Sequence, residues 1–245
     1  MSERLQMNII ELMNKALLKV VVLGAAGRMG VSVRAQLALS KDLAFFAGVD
    51  AKAGADLKPP SEFPALIKAA DLAVDFSAPA ASLEFAEACA AAHKPVVIGV
   101  TGFSAAQRTA LSAIARNTAV FLSPNMSPAV NLTFAMAALI AKKLPEFGRC
   151  IIETHHAAKK DAPSGTALKY SERMEKACGS KTPISSIRAG DIVGEHTVLY
   201  AGPHERVELT HRAHSRAVFA AGALRAALWL YAQKPGFYDY FDLLG

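Results

Sequence analysis

The sequence predicts an α/β protein with a parallel-sheet domain followed by a second, α+β domain that contains a mixed or antiparallel sheet. Two observations predict this architecture. Short apolar runs alternate with helix-like segments through the first half of the 245-residue chain, an order typical of a parallel sheet covered by helices on both faces. In the second half, three strand-like runs follow one another without a long helix between them, which favours antiparallel or mixed pairing.

In the first domain, the β-branched run at 18–23 (LKVVVL) is typical of a buried parallel strand, and it leads directly into a glycine-rich turn. The same criteria predict the other elements in order. The strands are 43–49, 72–76, 95–98 and 119–122, and the helices are 31–40, 80–92 and 104–116.

The second domain begins with a helix predicted at 131–143 and a strand at 150–154, followed by a polar loop and a helix through Lys176. Three strands follow at 185–189, 196–201 and 206–212. The last helix, 220–231, is apolar on all sides, so we expect it to pack on the first domain. The predicted division is an N-terminal extension at 1–17, a first domain at 18–127 and 218–245, and a second domain at 128–217.

Composition excludes several classes of protein. The chain is 52% hydrophobic and 20% charged, its net charge is +6, and its basic balance favours anionic partners. Lysine and arginine are scattered rather than arranged in a stripe, which argues against nucleic acid, and no apolar run is long enough to span a membrane. Three widely spaced cysteines are typical of a reducing compartment, and the first 17 residues do not resemble a secretory signal, so we expect a cytoplasmic protein.

The glycine turn after the first strand predicts a Rossmann-like dinucleotide site. Gly24, Gly27 and Gly30 follow an apolar strand and begin a helix, where glycine lets the backbone approach a pyrophosphate. The helix N-terminus then offers N–H groups and its dipole to the phosphates. The residues predicted to contact the cofactor in this turn are Gly24, Ala25, Ala26, Gly27, Arg28 and Met29.

Asp50 ends the next strand and is predicted to bind the ribose hydroxyls of the cofactor. A carboxylate there repels a 2′-phosphate, which favours NADH, although Lys52 could offset the repulsion and leave NADPH open. Two further segments follow strands at the same predicted edge of the sheet and are expected to contact the cofactor. They contain Gly99, Val100 and Thr101, and Ser123, Pro124, Asn125 and Met126.

The densest group of chemically active side chains lies in the second domain. Glu153, His155, His156, Lys159, Lys160 and Asp161 fall within nine residues. Adjacent histidines after a strand point to opposite sides, and no third ligand occurs at a recognised spacing, so we predict no metal. The cluster instead favours general acid–base chemistry, in which a histidine or lysine supplies a proton when hydride reaches a C=N or C=C carbon.

Directly after this cluster, Ser164, Gly165 and Thr166 are predicted to begin a helix. Serine is a favourable N-cap, and glycine lets a ligand approach the exposed N–H groups. With His156 and Lys159 nearby, this turn predicts a site for a substrate carboxylate.

Six segments together resemble the bacterial dihydrodipicolinate reductase family over about residues 19–244: GAAGRMG, GVTG, SPNMSPAVNL, ETHHAAKKDAPSGTAL, RAGDIVGEHTV and FAAGALRAALWL. The resemblance implies NAD(P)H-dependent reduction of 4-hydroxy-tetrahydrodipicolinate, a small dicarboxylate, in lysine biosynthesis by a homotetramer. By position, His155 corresponds to the acid/base residue and Lys159 to the proton donor. His156 and the amides of Gly165 and Thr166 correspond to ligands of the substrate carboxylate.

The chain departs from the family pattern at Val100, where many members have threonine, and in two short connections, 51–70 and 179–186. Two other functions stay open at this point. One is a different nicotinamide-dependent dehydrogenase on the same scaffold, and the other is a dinucleotide-binding protein without turnover. The intact segment at 155–166 argues against a pure binding protein, because such a protein needs no proton donor.

Overall fold

A computed structural model describes residues 16–52, 54 and 56–245. The predicted N-terminal extension, 1–17, lies outside the described residues except for its last two. The described chain forms two compact units: residues up to Leu122 with Ala223–Tyr238, and Ser123–Gly222 with Asp239–Gly245. None of the described helices is both long enough and apolar enough to cross a bilayer.

A seven-stranded sheet forms the first unit, and every pair of neighbouring strands in it is parallel. In chain order its strands are β1 (Leu18–Leu23), β2 (Leu43–Val49), β3 (Leu57–Lys58), β4 (Leu72–Asp75), β5 (Val96–Ile98), β6 (Ala119–Leu122) and β11 (Gly236–Tyr238). Their order across the sheet is β11-β6-β5-β4-β1-β2-β3. The parallel sheet predicted from the alternating pattern is therefore confirmed.

Helices connect these strands and cover the sheet. They are α1 (Arg28–Leu37), α2 (Phe63–Ala69), α3 (Pro79–Ala91) and α4 (Ala105–Ile114), with a short 3-10 helix at Pro60–Glu62 before α2. Phe63 and Phe85 meet edge to face, with ring centroids 5.1 Å apart, in a core that also includes Val21 and Ile98. Burying this apolar surface is the main stabilising contribution in a unit of this size.

A four-stranded mixed sheet forms the second unit. Its strands are β7 (Gly148–His155), β8 (Ile184–Arg188), β9 (Gly194–Ala201) and β10 (Arg206–Ala213), in the order β10-β9-β7-β8. Strands β7 and β8 are parallel, whereas β7 with β9 and β9 with β10 are antiparallel. This mixed sheet is the one that the sequence predicts.

The helices of the second unit are α5 (Pro128–Lys143) and α6 (Gly165–Cys178), with the short α8 (Tyr240–Leu244). Phe134 and Tyr170 join α5 to α6 through an edge-to-face contact at 4.5 Å between ring centroids. The helix α7 (Ala217–Tyr231) belongs to the second unit up to Gly222 and to the first from Ala223.

The boundary differs from the predicted one at three places. Residues 123–127, 218–222 and 239–245, predicted in the first domain, lie in the second unit. Hydrogen bonding explains this assignment, because the buried hydroxyl of Tyr240 donates toward the carbonyl oxygens of Met126 and Gly222 at 2.7 and 2.8 Å. A three-residue contact of this kind has no signal in the local sequence pattern.

Candidate functional site

The glycine turn of the first unit has the form expected of a phosphate-binding turn. Gly24 follows β1 with φ +72°, a conformation that favours glycine, and an added Cβ there would lie 2.7 Å from the carbonyl oxygen of Phe76. At Gly30, an added Cβ would lie 2.2 Å from the carbonyl oxygen of Gly24. The turn can therefore close against helix α1 only with glycine at both positions.

Gly27 is the N-cap of helix α1; it has an extended backbone conformation and no side chain to cap the helix. The first turn of α1 contains no acidic residue. Its N–H groups lack intrahelical acceptors, so an anion is a suitable partner for them. Arg28 is exposed at the same end of the helix.

Asp50 lies at the end of β2 and faces this turn. One carboxylate oxygen accepts from the backbone N–H of Ala26 at 2.9 Å and the other from that of Lys52 at 2.9 Å. The two bonds fix the carboxylate beside the glycine turn, where the ribose contact is predicted.

The segment after β5 has a different character from the glycine turn. Gly99 lies against the ring of Phe76, and an added Cβ would be 2.2 Å from that ring. The side chain of Val100 packs in the apolar core, whereas Thr101 is exposed. Since the Val100 side chain is buried with Val96 and Ile98, the departure from threonine extends the core at this point.

Ser123, Pro124, Asn125 and Met126 form a braced loop that lies in the second unit. The Ser123 hydroxyl donates to the carbonyl oxygen of Asn125 at 2.7 Å, and the side chain of Asn131 donates to the same oxygen at 2.8 Å. The amide of Asn125 donates to the hydroxyl of Thr166 at 3.1 Å. The structure thus brings this predicted cofactor segment beside the predicted substrate segment.

Strand β7 carries the centre of the predicted chemical cluster. Glu153 and His155 are two residues apart on the strand, so both point to the same buried face. The carboxylate of Glu153 is hydrogen-bonded to Nδ1 of His155. The same carboxylate forms an ion pair with the guanidinium of Arg188, with nitrogen and oxygen 2.8 Å apart. It also accepts a 3.3 Å hydrogen bond from the backbone N–H of Ser164.

The charge state of this pair follows from its surroundings. Burial alone would raise the pKa of Glu153, but hydrogen bonds from Arg188, Ser186 and His155 outweigh it and lower the pKa to about 2. Burial lowers the pKa of His155, although the Glu153 carboxylate opposes that shift. At neutral pH the cluster therefore holds a carboxylate beside a predominantly neutral imidazole.

His196 comes from strand β9, directly opposite Glu153 in the sheet register. Its ring meets that of His155 edge to face at 5.1 Å between centroids, and its Nε2 lies 3.2 Å from the Ser164 hydroxyl. Burial is the main cause that lowers the pKa of His196, to about 3. Its Nδ1 has no hydrogen-bond partner among the described residues.

Donor atoms of Glu153, His155 and His196 lie within 4.8 Å of one another, a spacing that a metal ion could use. However, the Glu153 carboxylate already holds the guanidinium of Arg188 as well as His155 Nδ1. A metal would have to displace this partly buried guanidinium and its hydrogen bonds. We therefore interpret the group as a hydrogen-bonded cluster.

The loop after β7 holds the other predicted residues. His156 and Lys159 form a turn, in which the Lys159 N–H donates to the carbonyl oxygen of His156 at 3.1 Å. The Lys159 ammonium lies 2.8 Å from the carboxylate of Asp161, and this hydrogen bond lowers the pKa of Asp161. Lys160 is exposed.

Helix α6 begins as predicted. The Ser164 side chain caps it by accepting from the N–H of Ala167 at 3.2 Å. Gly165 and Thr166 occupy its first turn, where N–H groups have no intrahelical acceptor. Gly165 is exposed, and a Cβ added there would have no described heavy atom within 4 Å, so a ligand has room to approach.

Sequence reasoning gave no role to three members of this cluster: Glu153, Arg188 and His196. The two-residue spacing of Glu153 and His155 in a strand was the available signal, since it places two polar side chains on the face that also buries Ile151. Arg188 and His196 come from other strands, and only the sheet register brings them to Glu153.

A parallel sheet with a glycine turn, joined to a unit that carries a buried cluster of titratable side chains beside a helix N-terminus, is typical of a two-unit nicotinamide-dependent oxidoreductase. Family models narrow this class. The model described as dihydrodipicolinate reductase, N-terminus, matches residues 18–126, and the model described as its C-terminus matches 129–244. The chain belongs to the dihydrodipicolinate reductase family.

Curated relatives agree. The chain is 38% identical to the 4-hydroxy-tetrahydrodipicolinate reductase of Geotalea uraniireducens, an alignment that covers 94% of this chain and 99% of the relative. It is 39% identical to the enzyme of the same name from Citrifermentans bemidjiense, again over 94% of this chain and 99% of the relative. The resemblance inferred from the motifs is confirmed, and the chain is an oxidoreductase of this family.

Solved structures support the fold. A dipicolinate-bound dihydrodipicolinate reductase from Paenisporosarcina sp. TG-14 superposes with a TM-score of 0.79 at 22% identity, covering 91% of this chain and 98% of that one. A diaminopimelate dehydrogenase from C. glutamicum has a TM-score of 0.60 at 12% identity, covering 93% of this chain and 94% of that one.

Proposed function

We propose that the chain reduces 4-hydroxy-tetrahydrodipicolinate to tetrahydrodipicolinate with NAD(P)H, in the diaminopimelate route to lysine. The observation that carries the proposal is the cluster in the second unit, in which an acid–base histidine and a lysine precede a helix N-terminus with room for an anion. The family membership of the whole chain supports the same reaction.

In this proposal the substrate carboxylate binds at the start of α6. The N–H groups of Gly165 and Thr166 donate to it, and His156 adds a further donor. Ser164 supports this turn as the N-cap of the helix. An anionic substrate also suits the net charge of +6.

Proton delivery is assigned to Lys159 and His155. The Lys159 ammonium is held by Asp161 at 2.8 Å and supplies a proton to the substrate as it is reduced. His155 acts as the acid/base residue, since its imidazole has an ionised carboxylate on Nδ1 and can exchange a proton through Nε2.

The first unit has a surface that fits NAD(P)H. Gly24 and Gly30 let the turn close tightly against the start of α1, and α1 presents an uncapped N-terminus to a pyrophosphate. When bound, the cofactor supplies the hydride. The other proposed contacts are Ala25, Ala26, Arg28, Met29, Gly99, Val100, Thr101, Ser123, Pro124, Asn125 and Met126.

We propose a preference for NADH over NADPH. The support is the Asp50 carboxylate, which two backbone N–H groups hold beside the glycine turn. A 2′-phosphate would meet this negative charge, whereas a ribose diol could donate to it.

We also propose a cytoplasmic homotetramer, on the basis of the family resemblance. Large apolar side chains exposed on the second unit support self-association; they are Leu132, Met136, Leu139, Leu168 and Ile187. Light scattering should then give about four times the chain mass of 25.9 kDa, and a value of one chain mass would contradict the tetramer.

The function is tested by mixing the purified chain with NADH or NADPH and the freshly made product of dihydrodipicolinate synthase. We expect a loss of NAD(P)H absorbance that depends on that product and matches it in amount. Absence of turnover with both cofactors would contradict the proposed reaction. A panel of amino acids and sugars in the oxidising direction serves as the comparison, and faster turnover there would assign the chain to another dehydrogenase.

A further inference from the structure

Glu153 is the point at which the acid–base histidine and the anion-binding helix are connected. Its side chain is completely buried, yet it is ionised and has four hydrogen-bond donors around it. They are Nδ1 of His155, the guanidinium of Arg188 at 2.8 Å, the side chain of Ser186 and the backbone N–H of Ser164 at 3.3 Å. A buried carboxylate is stable only when it is paired in this way.

We propose that Glu153 is a positioning residue for the reduction: it holds the proton of His155 on Nδ1, so that Nε2 exchanges protons with the substrate, and it fixes the imidazole relative to the start of α6. The inference rests on the proposed function for its catalytic consequence. The arrangement of the proton on His155 can be measured without any substrate.

The orientation of Glu153 is set by groups that can only donate. Arg188 reaches one carboxylate oxygen, and the Ser164 N–H reaches the same oxygen, so the other oxygen is directed at His155. Arg188 is held in turn by the carbonyl oxygens of Ile187 and Asp161. The carboxylate therefore has one arrangement that satisfies all of its neighbours.

The imidazole is also confined from the opposite strand. A Cβ added to Gly194 would lie 3.0 Å from Nε2 and 3.2 Å from Cδ2 of His155. The backbone of Gly194 does not need glycine for its conformation, because its φ is outside the left-handed region. Glycine at this position instead leaves room for the ring that Glu153 orients.

Glu153→Gln tests the proposal with almost no change in shape. Arg188 and the Ser164 N–H require an oxygen in front of them, so the new NH₂ group must face His155. Nδ1 then becomes the acceptor, and the proton of the neutral ring moves to Nε2. A histidine in the wrong tautomer cannot perform the same proton exchange.

We expect Glu153→Gln to lower kcat on the order of 10²-fold while KM for the substrate changes by less than about threefold. In the pH profile of kcat, the limb that reports the titration of His155 should move to lower pH. The reason is that loss of the Glu153 carboxylate removes the charge that raises the pKa of His155. The other charged or titratable groups that act on His155 and its neighbour His196 are unchanged in this variant: Lys159, Arg188 and His211.

Glu172→Gln is the matched control. Glu172 is an acid of the same unit whose pKa is also lowered to about 2, here by hydrogen bonds from Lys176 and Lys169 on an exposed face of α6. The charge change is identical, but His155 is not among its partners. We expect kcat, KM and the pH profile of this variant to match the parent chain.

Nitrogen-15 NMR of the histidine rings separates the inference from the proposed function. In the parent chain the neutral form of His155 should carry its proton on Nδ1, and in Glu153→Gln on Nε2. Glu153→Asp keeps the charge, so its His155 should keep the proton on Nδ1 and its kcat should be partly recovered. This variant replaces Glu153→Gln in the test if the glutamine variant does not fold. An unchanged tautomer, an unchanged kcat or an effect on KM alone in a folded Glu153→Gln would overturn the proposal. A parent chain without turnover would contradict the proposed function only.

Discussion

The side-chain amide of Asn125 donates a hydrogen bond to the hydroxyl of Thr166 at 3.1 Å. This bond joins a loop that the sequence assigns to cofactor binding to the helix turn that it assigns to the substrate. The amide oxygen of Asn125 is also used, because it accepts from the Ser127 N–H at 2.9 Å. The loop and the helix turn therefore form one braced structure within the second unit.

Replacing Asn125 by aspartate tests whether an anion binds at this turn. Asn125→Asp keeps the acceptor for the Ser127 N–H but places a negative charge beside Thr166. Because like charges a few ångströms apart repel by several kcal/mol in a partly buried site, we expect KM for the substrate to rise by at least about 10-fold. Asn117→Asp, the same change at an exposed site, is the control and should leave KM unchanged.

Replacing Lys159 tests its proposed role as proton donor. Lys159→Ala should lower kcat on the order of 10²-fold, because the half-buried ammonium held by Asp161 is lost. The neighbouring Lys160 is exposed, and Lys160→Ala should retain near-parental kcat. Steady-state kinetics of the two variants, measured side by side, check this prediction; equal losses in both would point to a general charge effect.

Asp50 should control the choice between NADH and NADPH. In Asp50→Asn the repulsion of a 2′-phosphate disappears, while one oxygen can still accept a backbone N–H. We expect the kcat/KM ratio of NADH to NADPH to fall by about 10-fold. Asp71→Asn removes an equal charge from a carboxylate that accepts from the Lys19 N–H at the start of β4, and an equal change in this variant would argue against the role of Asp50.

The buried histidine of the cluster predicts how stability depends on pH. The pKa of His196 is about 3 in the folded chain and 6.5 as the ordinary value, so between these limits the unfolded chain binds more protons. The free energy of unfolding should therefore decrease as the pH falls from 6.5 toward 3, by at most about 1.4 kcal/mol per pH unit from this group.

Urea unfolding at a series of pH values measures that slope. His196→Gln should make it shallower, because the titrating group is gone, whereas His204→Gln at an exposed position should leave it unchanged. The pKa of Glu153 is lowered from its ordinary value of 4.5 to about 2. Its protonation therefore further decreases the free energy of unfolding as the pH falls below 4.5. A slope that is identical in all three chains would contradict the buried, neutral state of His196.

Long, regular elements were predictable from sequence, whereas short ones were not. The strands 18–23, 43–49 and 119–122 match the observed bounds because continuous apolar runs need no partner to be recognised. Strand β11 has three residues and exists because it pairs with β6, from Gly236↔Ala119 to Tyr238↔Phe121. The helices α2 and α8 and strand β3 are similarly too short for a periodic signal.

In the candidate site, too, residues close in sequence were predictable, whereas residues brought in by strand pairing were not. His155, Lys159 and Ser164 were identified because they are close together in the sequence. Arg188 and His196 reach Glu153 from strands β8 and β9, through a register that no local pattern specifies. The linear segment therefore predicted the kind of chemistry, and the sheet register brings Arg188 and His196 beside Glu153.

The proposed reduction is tested most directly by following the hydride itself. The chain is given NADH with deuterium at both C4 positions together with the freshly made synthase product, and the reduced product is examined by mass spectrometry. We expect one deuterium to enter each product molecule at the same rate as NADH is consumed. Consumption of NADH without deuterium in the product, or no consumption at all with either cofactor, would contradict the proposed reduction.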